Sequence, residues 1–221
     1  MRRSLTAAAV IAAGITSLAV AAGPAFAANG NGNTTSPGTC TGTGTNTGTG
    51  TMNGQGRGMG SGSGTGMGMS TGTHITAASG TLTAAQKVDL LYMVEEEKLA
   101  HDVYAALAVK YPADVQFSKI VKSEAQHQAA LRTLLVRYGL TDPTAGLATG
   151  EFATASFQAL YGDLLADATN STTALNVGIA IEKLDIADLR DAKTTVTAPD
   201  VVQVYTNLLA GSARHLVAFG G

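Results

Sequence analysis

The chain has a single cysteine, Cys40, so it can form no internal disulfide, and its folded part must rest on an apolar core or on metal. Charge is scarce as well. Only 14% of the 221 residues are charged, and 14 basic against 16 acidic side chains give a net charge of −2. That balance gives no electrostatic reason to expect a nucleic acid or an acidic membrane surface as partner. No alternating strand pattern competes with the helical spacing of apolar residues, and beyond Leu82 glycine becomes rare.

The N-terminus reads as an export signal. Arg2 and Arg3 precede a long Ala/Val/Ile/Leu stretch, and Ala25-Phe26-Ala27 offers small residues where a signal peptidase reads them. Cleavage after Ala27 is expected, with an uncleaved membrane anchor as the alternative; Gly14 and Pro24 interrupt the apolar run and count against it. Removing Arg2 and Arg3 leaves 12 basic and 16 acidic residues, a mature net charge of −4 in a secreted or cell-envelope protein without a membrane span. Residues 28–80 are mostly Gly, Thr, Ser, Asn and Met, too polar to offset the entropy of ordering, and read as a disordered linker that includes Cys40 as a free thiol. Its Met52, Met59, Met67 and Met69 are soft thioethers suited to Cu(I), although neutral linker residues explain them more simply.

Residues 81–221 form the folded domain. Apolar periodicity predicts long helices over about 83–109, 118–138, 172–191 and 198–218, with a shorter one over 153–166 inside a crossover. Thr83-Ala84-Ala85-Gln86 is a capping-box pattern, Ser118 and Thr197 are expected caps, Pro199 sits in a first turn and Gly139 is a stop. The expectation is an all-α bundle. A second apolar strip on the first helix, Val88, Leu91, Leu99 and Ala106, faces either the crossover helix or the partner of a homodimer.

The stretch EEEKLAHDVY, residues 95–104, sets three carboxylates in this charge-poor chain. At 100° per residue, Leu90, Met93, Val94, His101 and Tyr104 fall within about 60° of Glu97, while Glu95 and Glu96 turn away and are expected in solvent beside Lys98. The second helix places Glu124 and His127 one turn apart on the face of Phe117, Ile120 and Leu131. The third centres on Glu182, with Asp185 beside it, and the fourth on His215. Each long helix therefore sets a ligand-type residue inside its apolar stripe. A buried carboxylate needs a counter-charge or becomes neutral. Lys98, Arg132, Lys183 and Arg214 adjoin the inward positions and so point elsewhere, while Arg137 is less easily dismissed; a divalent metal pair is the economical counter-charge, with a metal-free polar core as the alternative.

Glu97, the pair Glu124-x-x-His127, Glu182 and His215 resemble the ligand pattern of the ferritin-like superfamily, and EEEKLAHDVY, SEAQHQAALRTLLVRYGL, AIEKLDIADL and GSARHLVAF resemble an uncharacterised family of exported ferritin-like proteins. That resemblance covers about 83–219 and implies a four-helix bundle holding a di-iron or di-manganese carboxylate site. It carries Glu97, Glu124, His127, Glu182 and His215 over as metal ligands. Ser212 stands where the fourth helix of that pattern offers a glutamate, Asp185 is placed to compensate, and His101 is a further candidate ligand. The implied cofactor is a divalent metal, with iron ahead of manganese or zinc, and the implied partners are O2 or peroxide. Tyr104 is the candidate catalytic group, stabilising a bound oxygen species or relaying a radical; otherwise it is a core ring bonded to Glu182 or Glu124. Two further readings stand beside an oxidase or peroxidase: a bundle that only binds or sequesters metal, and a structural bundle that presents an interaction surface.

Overall fold

A computed structural model describes residues 74–221, so the expected signal at 1–27 and most of the expected linker lie outside the described residues. Among the described residues there are five helices and no strand: α1 (Ala84–Lys110), α2 (Val115–Arg137), α3 (Ala155–Asp167), α4 (Ser171–Thr195) and α5 (Pro199–Phe219). None is long and apolar enough to cross a membrane.

Local chemistry explains most boundaries. Thr83 accepts from the Gln86 amide while the Gln86 side chain returns to the Thr83 N–H, closing the expected capping box. Asn170 and Thr173 build the same motif at the start of α4. After α2, Gly139 takes a φ of 62°, a left-handed conformation that side chains oppose. Two expected caps are corrected. The second long helix begins at Val115 rather than at Ser118, whose hydroxyl donates back to the Val115 carbonyl from within the first turn. α5 is preceded by Ala198 instead of Thr197, with Pro199 at its first position supplying the fixed φ.

Residues 75–80, placed in the linker above, are tied to the bundle. Gln203 accepts from the Thr76 and Ala77 N–H groups, Arg137 donates to the Ile75 and Ala77 carbonyls, and Gly80 donates to the Tyr138 hydroxyl. Arg137 also pairs with the fully buried Asp200, so it is engaged at this end of the molecule.

The core is divided in two by a polar layer. One apolar cluster takes Leu99, Val103, Tyr104 and Leu107 from α1, Phe117 and Ile120 from α2, Ala174, Val177 and Ile181 from α4, and Phe219 from α5. The other takes Leu90, Met93 and Val94 from α1, Leu131, Leu134 and Leu135 from α2, Leu189 and Ala192 from α4, and Val201, Val204 and Leu208 from α5. The clusters fix direction: α1 and α5 run one way, α2 and α4 the other, and the segment carrying α3 crosses between α2 and α4. Phe157, Leu160 and Leu164 of α3 pack with Leu99, so that part of the second strip on α1 meets the crossover, while Val88 remains 64% exposed.

The expected solvation of Glu95 and Glu96 is also corrected, each being only 2% exposed. Glu95 accepts from the Thr154 N–H at 2.8 Å where α3 begins. Lys98 is buried too. It pairs with Asp102, donates to the Ala148 carbonyl at 2.9 Å and lies 5.0 Å from the Phe152 ring centre. The periodicity of α1 identifies the inward face but is blind to a loop that covers the opposite one.

Candidate metal centre

Between the two apolar clusters, α1 contributes Glu97, α2 contributes Glu124 and His127, α4 contributes Glu182 and Asp185, and α5 contributes His215; all are buried. The ligand atoms of all but Asp185 fall into two groups, Glu97/Glu124/His127 and Glu124/Glu182/His215, and within each group the atoms lie within 4.8 Å of one another; Asp185, expected as a compensating ligand, lies in neither. Glu124 belongs to both. Its Oε2 is 2.9 Å from His127 Nδ1, and its Oε1 is 2.7 Å from His215 Nδ1. His127 Nδ1 is also 3.3 Å from Glu97 Oε2, and His215 Nδ1 is 3.6 Å from Glu182 Oε1. The two imidazole rings stack at 5.4 Å.

Several contacts fix these side chains from behind. His215 Nε2 lies 2.9 Å from Ser123 Oγ, which leaves Nδ1 to face the carboxylates. Gln128 donates to the Glu97 carbonyl at 3.1 Å. Gly211 makes room for His127: a Cβ at that position would stand 2.5 Å from His127 Nε2. Gly178 does the same for Phe219, with a Cβ 2.8 Å from its ring. Tyr104 donates to Glu182 Oε1 at 2.7 Å, and its buried ring packs against Phe117 and Phe219. Of the two expected partners for Tyr104, the hydroxyl takes Glu182.

The electrostatics follow from burial and proximity. Burial pushes the Glu97 carboxyl well above its ordinary range, with His127 opposing. Burial also raises Glu182, and it raises Asp185 to about 7. For Glu124, burial is outweighed by His127 and His215, which hold its carboxyl well below the usual range. Burial likewise disfavours charge on His215, but Glu124 and Glu182 prevail and lift it to about 9. Burial lifts the Tyr104 hydroxyl, and the charges of Glu182 and Glu124 lift it further, so it is a donor.

Satisfied polar groups are the rule in protein interiors. Here Glu97 Oε1, Glu124 Oε1, Asp185 Oδ1 and His215 Nδ1 are buried without a hydrogen-bond partner. The four come from four helices and are all drawn from this layer. Carboxylate oxygens and an imidazole nitrogen left this way are the donor set that a divalent cation takes, so the residues fit such an ion.

His101 lies outside both groups, with a partly exposed ring and its Nδ1 2.9 Å from Asp102 Oδ1. Asp102 in turn accepts from the Gly150 N–H at 2.9 Å, so this corner holds the crossover loop. Ser123 was not legible as part of the centre, because it acts through a side chain reaching another helix; Gln128 shares the face of Glu124 in projection, but its bond to the Glu97 carbonyl depends on the neighbouring helix. Gly211 and Gly178 carried a signal in being glycines inside helices, where alanine is favoured.

A model of the family described as "Uncharacterized protein domain (DUF2202)" matches residues 86–220, a span that contains every residue of the centre. The uncharacterized protein MJ0754 of Methanocaldococcus jannaschii is 39% identical over 139 residues, 62% of this chain and 75% of that protein. The crystal structure of hypothetical protein MJ0754 from Methanococcus jannaschii aligns with a TM-score of 0.63 at 36% identity, covering 65% of this chain and 82% of that one.

Proposed function

We propose, for a chain that belongs to the DUF2202 domain family, that the bundle is ferritin-like and would hold two divalent cations, one in each of the ligand groups that share Glu124. The observation that carries this reading is the pair of ligand groups sharing Glu124, together with the unpartnered buried atoms that four helices turn toward them. The helix directions, two antiparallel pairs joined by one long crossover, support the ferritin-like reading. Iron is the favoured cation, with manganese and zinc as alternatives for the same nitrogen and oxygen donors. A bound redox-active pair supplies single-electron steps toward O2 or peroxide. The chain's own residues do the holding: Glu124 faces both positions, Ser123 orients His215, and Tyr104 fixes Glu182 and is the candidate relay. The basic start and apolar run of residues 1–27 support export.

Binding or sequestration without turnover is the second reading. It is favoured by Ser212, a buried hydroxyl that donates to the Leu208 carbonyl where the superfamily pattern has a carboxylate. The test is reconstitution of the metal-free protein with Fe(II), followed by elemental analysis and oxygen uptake. Two metals per chain with O2 consumption support an oxidase, metal without consumption supports sequestration, and no metal contradicts both.

A further inference from the structure

The two ligand groups are alike in composition, each joining one imidazole and one glutamate to the shared Glu124. They differ in how their atoms are engaged with one another. In the first, His127 Nδ1 is hydrogen-bonded to Glu97 Oε2 at 3.3 Å and lies 2.9 Å from Glu124 Oε2, so one nitrogen ties both carboxylates of its group. In the second, His215 Nδ1 and Glu124 Oε1 stand 2.7 Å apart without a hydrogen bond between them. Glu182 Oε1 is 3.6 Å from the same nitrogen and accepts from Tyr104 instead. Among the unpartnered buried atoms, Glu97 Oε1 belongs to the first group, whereas Glu124 Oε1 and His215 Nδ1 meet in the second.

The groups also differ in what stands behind them. Ser123 Oγ lies 2.9 Å from His215 Nε2. With Nδ1 given to a cation, Nε2 carries the ring proton and donates to Oγ, the arrangement that fixes a ligating imidazole. Tyr104 holds Glu182 at 2.7 Å, with its own ring packed against Phe117 and Phe219. Both contacts survive when this group closes on an ion, because Nε2 is not the ligating nitrogen and a carboxylate accepts more than one bond. The nearest neighbour of His127 Nε2 on α5 is Gly211, which makes room for the ring and has no side chain to bond it. Gln128 grips Glu97 by its backbone carbonyl, away from the carboxylate.

We propose that the two positions are unequal: the Glu182/His215 position takes a divalent cation first and more tightly, with Ser123 as the positioning residue that sets this order. This rests on the two-cation reading and adds an order of filling to it. Both positions give up a contact between imidazole and Glu124 when an ion enters. The Glu97/His127 position gives up a hydrogen bond as well, whereas the Glu182/His215 position gives up none and supplies partners to two buried atoms that lack them. A difference of one buried hydrogen bond corresponds to roughly ten-fold in affinity.

The test is a stepwise titration of metal-free full-length protein with Co(II), followed by visible absorption and calorimetry. It is joined to anomalous scattering at the cobalt edge from wild-type crystals loaded with one equivalent. The expected result is two steps roughly ten-fold or more apart, and a first cobalt beside Glu182 and His215. Ser123→Ala is expected to weaken the tight step roughly ten-fold and leave the weak step in place, so that the two merge. Ser123→Thr, which keeps the hydroxyl, should separate them again. Two wild-type steps of equal affinity, or a first cobalt beside Glu97 and His127, overturn the order while leaving the centre standing. Ser123→Ala that shifts both steps alike, or neither, overturns the positioning role. The wild-type titration and crystals decide the order even where a variant does not fold. If the wild-type protein takes up no cobalt, the centre fails and the order fails with it.

Discussion

His215 Nδ1 and Glu124 Oε1 approach to 2.7 Å, yet neither atom has a hydrogen-bond partner. A buried donor and acceptor this close ordinarily align, because an unmade hydrogen bond costs about 1–3 kcal/mol. Here Ser123 holds the far side of the imidazole and His127 takes the other oxygen of Glu124, so the pair meets as a close contact of opposite charge rather than as an aligned hydrogen bond.

Loss of a carboxylate should affect metal content unequally. Glu124 is shared, so Glu124→Gln is expected to abolish both bound metals. Glu97→Gln and Glu182→Gln should each remove the metal of one group, because each residue belongs to one group only. Elemental analysis after reconstitution reads this directly; equal losses in all three variants contradict a bridging role for Glu124.

The helix glycines separate packing from ligation. Gly211→Ala drives a Cβ against His127, and Gly178→Ala drives one against the Phe219 ring. Both should lower stability by about 1–3 kcal/mol, the usual cost of overpacking. Only Gly211→Ala should also weaken metal binding, measured by calorimetric titration beside thermal melts.

Tyr104→Phe removes the hydroxyl that donates to Glu182 at 2.7 Å. The expected loss in denaturant-measured stability is about 1.5–3 kcal/mol, the range for a hydrogen bond to a charged group. Metal stoichiometry should be unchanged, since Tyr104 supports a ligand and belongs to neither group.

The metal-free protein should become less stable as pH rises from 6 to 9. His215 is lifted from 6.5 to about 9, so its contribution is full below 6.5 and is lost as pH climbs through 9. Asp185 is raised from 3.8 to about 7; its folded form holds a proton that the unfolded chain has released, so stability also falls across that window. Loaded metal replaces those protons. Thermal melts should therefore show a falling Tm for the metal-free protein and a flatter profile for the loaded one, with more protons released on loading at pH 6.5 than at pH 9.

The inward row of each helix was legible because a carboxylate or imidazole inside an apolar stripe stands out at 100° per residue. Glu97, Glu124, Glu182 and His215 were visible in this way, and the structure brings them into one layer. The Glu124-x-x-His127 spacing and the Thr83/Gln86 cap are local patterns, which a sequence shows directly. What escaped depended on distant segments. Glu95 read as solvated because the segment whose Thr154 N–H it accepts lies 59 residues on, and Glu96 because the α4 residues near it, Asp185 and Asp188, belong to a distant helix. Ser123 reaches His215 across 92 residues, a pairing no single-helix projection contains. Ser118 looked like a cap because serine commonly is one, but Val115 had already begun the helix.

The most direct measurement is anomalous scattering from crystals of the reconstituted protein, collected on both sides of the absorption edge of the added metal. The account predicts two peaks flanking Glu124, one beside Glu97 and His127, the other beside Glu182 and His215. Reconstituted crystals with no peak in this layer, and with His127 and His215 hydrogen-bonded to the carboxylates, would contradict it.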